Sequence, residues 1–130
     1  MLQLQQRKET PMPYIDGYVL PVPLARLAAY RRLARKAGKV WIEHGALAVN
    51  ECVADDVKSG KLTSFPQSVK RKHGETVVLS WIVYRSRRDR DRINARVMAD
   101  PRLAAMHHSK TLPFDAKRMF WGGFKPIMQL

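Results

Sequence analysis

Between Leu24 and His44 the chain sorts its side chains by helical phase, and what flanks that stretch fixes the fold. At about 100° per residue, Leu27, Tyr30, Leu33, Ala34, Ala37, Val40, Trp41 and His44 fall on one face, and Arg31, Arg32, Arg35, Lys36 and Lys39 fall on the other. Gly45 is placed to stop the helix in a left-handed turn. Strand-forming runs lie on either side. Tyr14–Leu20 is rich in aromatic and β-branched residues, with Pro21 and Pro23 expected to end it. Ala46–Val53 reads as the second strand.

The same strand-then-helix order repeats further on. Asp55, Asp56, Ser59 and Gly60 signal a turn, and Ser64-Phe65-Pro66 can open one short helical turn. Thr76–Tyr84 is an almost unbroken β-forming run, which predicts a strand covered on both faces. Ser86 caps the next helix with Asp89 three residues on, and Asp100-Pro101 ends it and starts another short turn. His107–Thr111 reads as a loop. Lys117–Lys125 reads as the last strand, with Gly122-Gly123 marking a bulge or a close backbone approach. Residues 1–13 are polar, end in prolines and read as an N-terminal arm on a single domain spanning 14–130.

The order β-α-β-β-α-β predicts an α+β, ferredoxin-like protomer: a four-stranded antiparallel sheet with both helices on one face. The other face is too apolar to stand in water. A second copy of the chain is the natural cover, so a homodimer with a barrel-like interior follows.

Composition narrows the function classes. Cys52 is the one cysteine, which excludes an internal disulfide framework and a four-cysteine metal site. No run of signal-peptide or membrane-spanning length occurs, so a cytoplasmic protein is expected. The charge is unusual: 24 Lys and Arg against 11 Asp and Glu, a net +13. Such a surplus favours polyanions, but it is dispersed along the chain and forms no basic tail. The strand-three run VVLSWIVY lacks the Lys/Arg-Gly-Phe-Gly-Phe-like pattern by which RNA-recognition domains present stacking aromatics. Nucleic acid is therefore disfavoured as a partner. An anionic partner such as RNA on the basic face of the first helix stays as the alternative to a small-molecule ligand.

The stretches YIDGYVLPVP, AGKVWIEHGAL, ECVADDV, LSWIVYRSR, NARVMADPRL and PFDAKRMFWGGF together resemble the YbaA-like family of small uncharacterised bacterial proteins. The resemblance spans roughly residues 14–125. It implies the dimeric α+β barrel superfamily with ferredoxin-like protomers, and it carries no activity with it. The wider superfamily holds cofactor-independent monooxygenases, isomerases, haem-handling enzymes and regulatory ligand-binding domains, so fold analogy alone is a weak guide to chemistry.

The residues themselves offer several candidates for a cofactor-free pocket between sheet and helices. Asp16 lies mid-strand, as a general base or as the structural partner of Arg90, which shares the apolar stripe of the second helix with Asn94. His44 closes the apolar stripe of the first helix, as a catalytic or metal-ligating group or as a cap on its last carbonyls. Tyr84 is the third catalytic candidate. Trp81 and Trp121 could hold a flat apolar ligand, with Asn50, Ser80 and Tyr84 orienting it; core packing is the competing reading. Glu51 and Cys52 must face opposite sides of their strand, and Cys52 is expected to be a buried, inert thiol. His107 and His108 are adjacent, and nothing shows zinc-like spacing, so no metal and no cofactor is predicted.

Overall fold

The computed structural model describes residues 12–107 and 112–130. Four strands, β1 (Tyr14–Pro23), β2 (Ala48–Val53), β3 (Glu75–Tyr84) and β4 (Phe120–Phe124), form one antiparallel sheet in the order β2-β3-β1-β4. Helices α1 (Leu27–Glu43) and α3 (Arg87–Ala99) lie over the same face. A short helix α2 (Phe65–Ser68) precedes β3, and α4 (Pro101–His107) follows α3. This is the ferredoxin-like α+β arrangement that the element order predicts. Most of the arm expected over residues 1–13, up to residue 11, and most of the loop expected over residues 107–111, from 108 on, lie outside the described residues.

Alternation assigns the faces. In β1 the even residues meet the helices: Tyr14, Leu20 and Val22 are buried with Val40, Tyr84, Ile93 and Val97 in the main core clusters. On the opposite face Val19 and Val77 pack with Val69, just after α2. Beyond that corner the face lies open. Leu79, Phe120 and Phe124 are 40%, 47% and 64% exposed.

β1 runs on through Pro21 and Pro23, three residues past the expected end. Leu24 donates its N–H to the Gly74 carbonyl, so even-numbered N–H groups of β1 point towards β3 and odd ones towards β4. β4 ends at Phe120, opposite Val19. Pro21 and Pro23 therefore turn their donor-free nitrogens to a side with no partner strand, where proline costs nothing. β4 itself is shorter than expected. Asp115 caps a 3-10 turn over Ala116–Arg118, accepting from the Lys117 N–H at 3.1 Å and the Arg118 Nε at 2.9 Å. That turn removes residues 117–119 from the strand.

The helix ends follow local chemistry. Ser86 Oγ accepts from the Asp89 N–H at 3.1 Å, and Ser64 Oγ from the Gln67 N–H at 3.2 Å. α1 is preceded by a 3-10 turn at Leu24–Arg26 and stops at Gly45, whose φ of 119° few other residues tolerate. Two charged clusters tie the ends of the fold together. His44, Asp100, Arg102 and Glu43 join the C-terminus of α1 to the α3–α4 corner. Arg118 binds Glu75 at 2.6 Å and so fastens the approach to β4 onto the start of β3.

Candidate functional site

One rung of the sheet crosses all four strands on the helix side. Glu51 of β2 pairs in register with Ser80 of β3, Ser80 with Tyr18 of β1, and Tyr18 with Trp121 of β4. Strands lie about 4.8 Å apart, so the Glu51 and Tyr18 backbones are separated by roughly 10 Å. These four side chains floor a cleft of about 440 Å³ between the sheet and the helices. Its other walls are mainly apolar: Leu33, Ala37 and Trp41 from α1, Met98 from α3, Leu103 and Met106 from α4, and Phe114 and Met119 from the approach to β4.

The rung carries the cleft's polar chemistry. The Tyr30 hydroxyl of α1 donates to Glu51 Oε2 at 2.8 Å, bridging helix and edge strand. Burial pushes the Glu51 carboxyl above its usual range, against the opposing pull of the Tyr30 and Ser80 hydroxyls; solvent reaching this exposed edge residue screens the effect. Burial likewise pushes the Tyr18 phenol well up, helped by the negative charges of Asp16 and Glu51 and opposed by Arg90. The Tyr18 ring stacks on Trp121 with centroids 5.9 Å apart.

Behind the next rung lies a second polar cluster. Asp16 is fully buried, and Arg90 Nε faces its Oδ1 at 3.1 Å. Neither atom makes an aligned hydrogen bond, so charge rather than geometry joins them. Asn94 Nδ2 donates to Asp16 Oδ2 at 3.2 Å. The Asn94 carbonyl oxygen accepts from Trp41 Nε1 and from the Tyr84 hydroxyl, each at 3.0 Å. An indole N–H can only donate, which fixes the amide's orientation. The Arg90 guanidinium also donates to the Tyr14 hydroxyl at 3.3 Å and lies over the Tyr14 and Trp121 rings. Gly123, opposite Asp16 in β4, leaves the room: a Cβ there would collide with Arg90 Nη2 and the Tyr14 hydroxyl.

The residues singled out from the sequence fall into three places. Asp16 and Tyr84 meet at Asn94 in the cluster behind the cleft, with Arg90 as the partner of Asp16. His44 caps α1 and pairs with Asp100 at 2.9 Å; the Arg102 and His44 hydrogen bonds hold the Asp100 carboxyl far below its usual range. Neither His44 nor Asp16 nor Tyr84 lines the cleft. Asn50 and Trp81 pair with one another on the open face. Trp121 does line the cleft, and so does Ser80. Cys52 corrects an expectation: it is exposed, not buried, because β2 is an edge strand and Cys52 points to the open face. Tyr18, Tyr30 and Glu51 were not legible as site residues. For Tyr18 and Glu51 the signal is strand register with Ser80, and for Tyr30 it is the hydrogen bond from α1 to Glu51, neither of which local sequence records. Among the described residues, no group of three His, Cys, Asp or Glu is placed to hold a metal ion, and no helix is long and apolar enough to cross a membrane.

Comparison with known proteins matches residues 13–116 to a family described as "Protein of unknown function (DUF1428)". Over 117 residues the chain is 46% identical to the uncharacterised protein YbaA of Escherichia coli K12, covering 90% of this chain and 98% of that one, and the same figures hold for YbaA of Shigella flexneri. Among solved structures, a NIPSNAP family protein of unknown function from Agrobacterium tumefaciens superposes with a TM-score of 0.54 at 15% identity, covering 91% of this chain and 90% of that one. At that identity the likeness concerns the fold.

Proposed function

The chain belongs to the DUF1428 family of YbaA-like proteins, and from that premise we propose that it binds a small, largely apolar organic molecule between its sheet and its helices. One observation carries the reading: an apolar cleft of about 440 Å³ whose floor is the polar rung Glu51–Ser80–Tyr18. Ligand sites are typically apolar cavities of this order with a few placed polar groups. Here Trp41 and Trp121 offer flat apolar contact, and the rung offers hydroxyls and a carboxylate. Binding, or transformation by proton transfer at the rung, needs no cofactor. Asp16, Tyr84 and Asn94 act in this reading as positioning residues, because their hydrogen bonds set the Trp41 ring against the cleft.

Titration with 1-naphthol, followed by the fluorescence of Trp41 and Trp121, tests the proposal. Saturable quenching is expected, and Ala37→Trp, which fills the cleft, weakens it by about tenfold or more, as loss of well-packed apolar contact requires. A wild-type protein that binds no better than Ala37→Trp refutes the reading.

We also propose that the open sheet face pairs with a second copy. Its central residues Ile15, Val19, Asn50, Leu79, Trp81, Val83, Phe120 and Phe124 include no charge, on a chain of net +13. Two copies repel least where they meet through that face.

A further inference from the structure

A second space adjoins the cleft. A groove of about 760 Å³ runs between α1 and the free edge of β2, and it shares Tyr30, Ala34, Gly38, Val49 and Glu51 with the cleft. The groove and the cleft therefore meet along the packing of α1 on β2, and the Tyr30–Glu51 hydrogen bond stands between them. Arg31, Arg35 and Lys39, four residues apart and exposed, line the outer wall of that groove. Among the described residues, no carboxylate pairs with any of the three; Glu43, also in the groove, is held by Arg102 at 2.7 Å.

Building on the ligand-binding reading, we infer that the ligand is an amphipathic anion, with an apolar body in the cleft and a carboxylate or similar head at Arg31, Arg35 and Lys39. The two halves of the site differ in chemistry as such a molecule does. The cleft walls are aliphatic and aromatic, and the cations stand on the outer side of the Tyr30–Glu51 hydrogen bond, where a head group keeps part of its hydration. A cationic head would meet repulsion at Arg31, Arg35 and Lys39. A neutral one would leave the three charges unused. A solvated helix face explains unpaired cations on α1 in general. It does not explain why three of them line the groove that adjoins the cleft across the Tyr30–Glu51 hydrogen bond.

Decanoate, 1-decanol and decyltrimethylammonium, all below their aggregation concentrations, separate the possibilities by tryptophan quenching with native mass spectrometry for stoichiometry. Decanoate is expected to bind about tenfold tighter than decanol at low salt, with the margin shrinking as salt rises. The triple variant Arg31→Glu/Arg35→Glu/Lys39→Glu loses that margin yet still binds decanol. Arg88→Glu/Arg96→Glu/Lys125→Glu, with the same change of net charge elsewhere, keeps it. Decanol binding as tightly as decanoate, or a preference that survives the first triple variant, overturns the anionic head while leaving the cleft reading intact. If none of the three probes binds, the cleft reading falls and this inference with it.

Discussion

The two faces of the sheet are built from the same four strands and solve opposite problems. The helix side mixes a large apolar core with charge: Asp16 fully buried, Arg90 beside it, and the Glu51–Ser80–Tyr18 rung one step along. The open side carries no charge over its central strands and leaves Leu79, Phe120 and Phe124 in contact with water. Polar groups are thus enclosed where helices supply partners, and apolar groups are displayed where none of the described residues covers them. An enclosed polar group is costly unless it is paired, so the helix side is the brittle one. The open side tolerates change within one protomer and is sensitive only if a second copy sits on it.

Breaking the helix side should give the largest effect. Asp16→Ala leaves the Arg90 guanidinium against the Tyr14 and Trp121 rings without its buried carboxylate, and it frees one donor of Asn94. Removing one partner of a buried pair costs about 3–5 kcal/mol. Urea unfolding followed by circular dichroism should show a matching fall in midpoint. A change below about 1 kcal/mol would mean that Asp16 does not hold Arg90, by the scale of exposed ion pairs. Gly123→Ala attacks the same cluster from β4. Its methyl group needs the place of Arg90 Nη2 and the Tyr14 hydroxyl, so a loss of about 1–3 kcal/mol is expected, the usual range for overpacking. The double variant should lose less than the sum, because both changes act on one guanidinium.

Part of this contrast can be read without coordinates. The phase of α1 is written in its spacing, and Arg90 inside an apolar stripe demands a carboxylate, so the pairing with Asp16 follows from the charge rule. The cleft floor is different. Tyr18, Ser80 and Glu51 become neighbours only through the registers of β1 with β3 and β2 with β3. A shift of one residue would send all three to the open face. Local propensity holds no record of that choice. Sheet order is hidden for the same reason: nothing around Cys52 tells that β2 is an edge, and nothing around Pro21 tells that β4 stops short of it.

A smaller effect comes from the clamps at the rim, where neither face dominates. Hydrogen bonds from Arg118 hold the Glu75 carboxyl below its ordinary 4.5, and those from Arg102 and His44 hold Asp100 below its ordinary 3.8. Carboxyls depressed in the folded state stabilise it above their unfolded values and lose that contribution as pH falls towards the folded ones. The urea midpoint should therefore be level above pH 5 or so and decline below about pH 4.5. Glu75→Gln should make that decline shallower while lowering the midpoint at neutral pH. A decline of unchanged steepness would assign the acid sensitivity to carboxyls other than Glu75.

The open face should respond least within a single protomer, and that weakness makes it informative. Leu79 is 40% exposed and stands opposite Cys52, itself exposed. A surface substitution such as Leu79→Asp ordinarily changes stability by within about 0.5 kcal/mol, so the unfolding of dilute protein should hardly move. Paired copies change the outcome, because an aspartate would then be forced against its own symmetry mate in an apolar contact. Light scattering should give twice the protomer mass for the wild type and the protomer mass for Leu79→Asp. Cys52 reports the same event from the wild-type chain: its reaction with a disulfide reagent should slow as protein concentration rises and the face closes. A labelling rate independent of concentration, with a single-protomer mass at every dilution, would leave the open face a solvent-facing surface and confine the molecule's chemistry to the helix side.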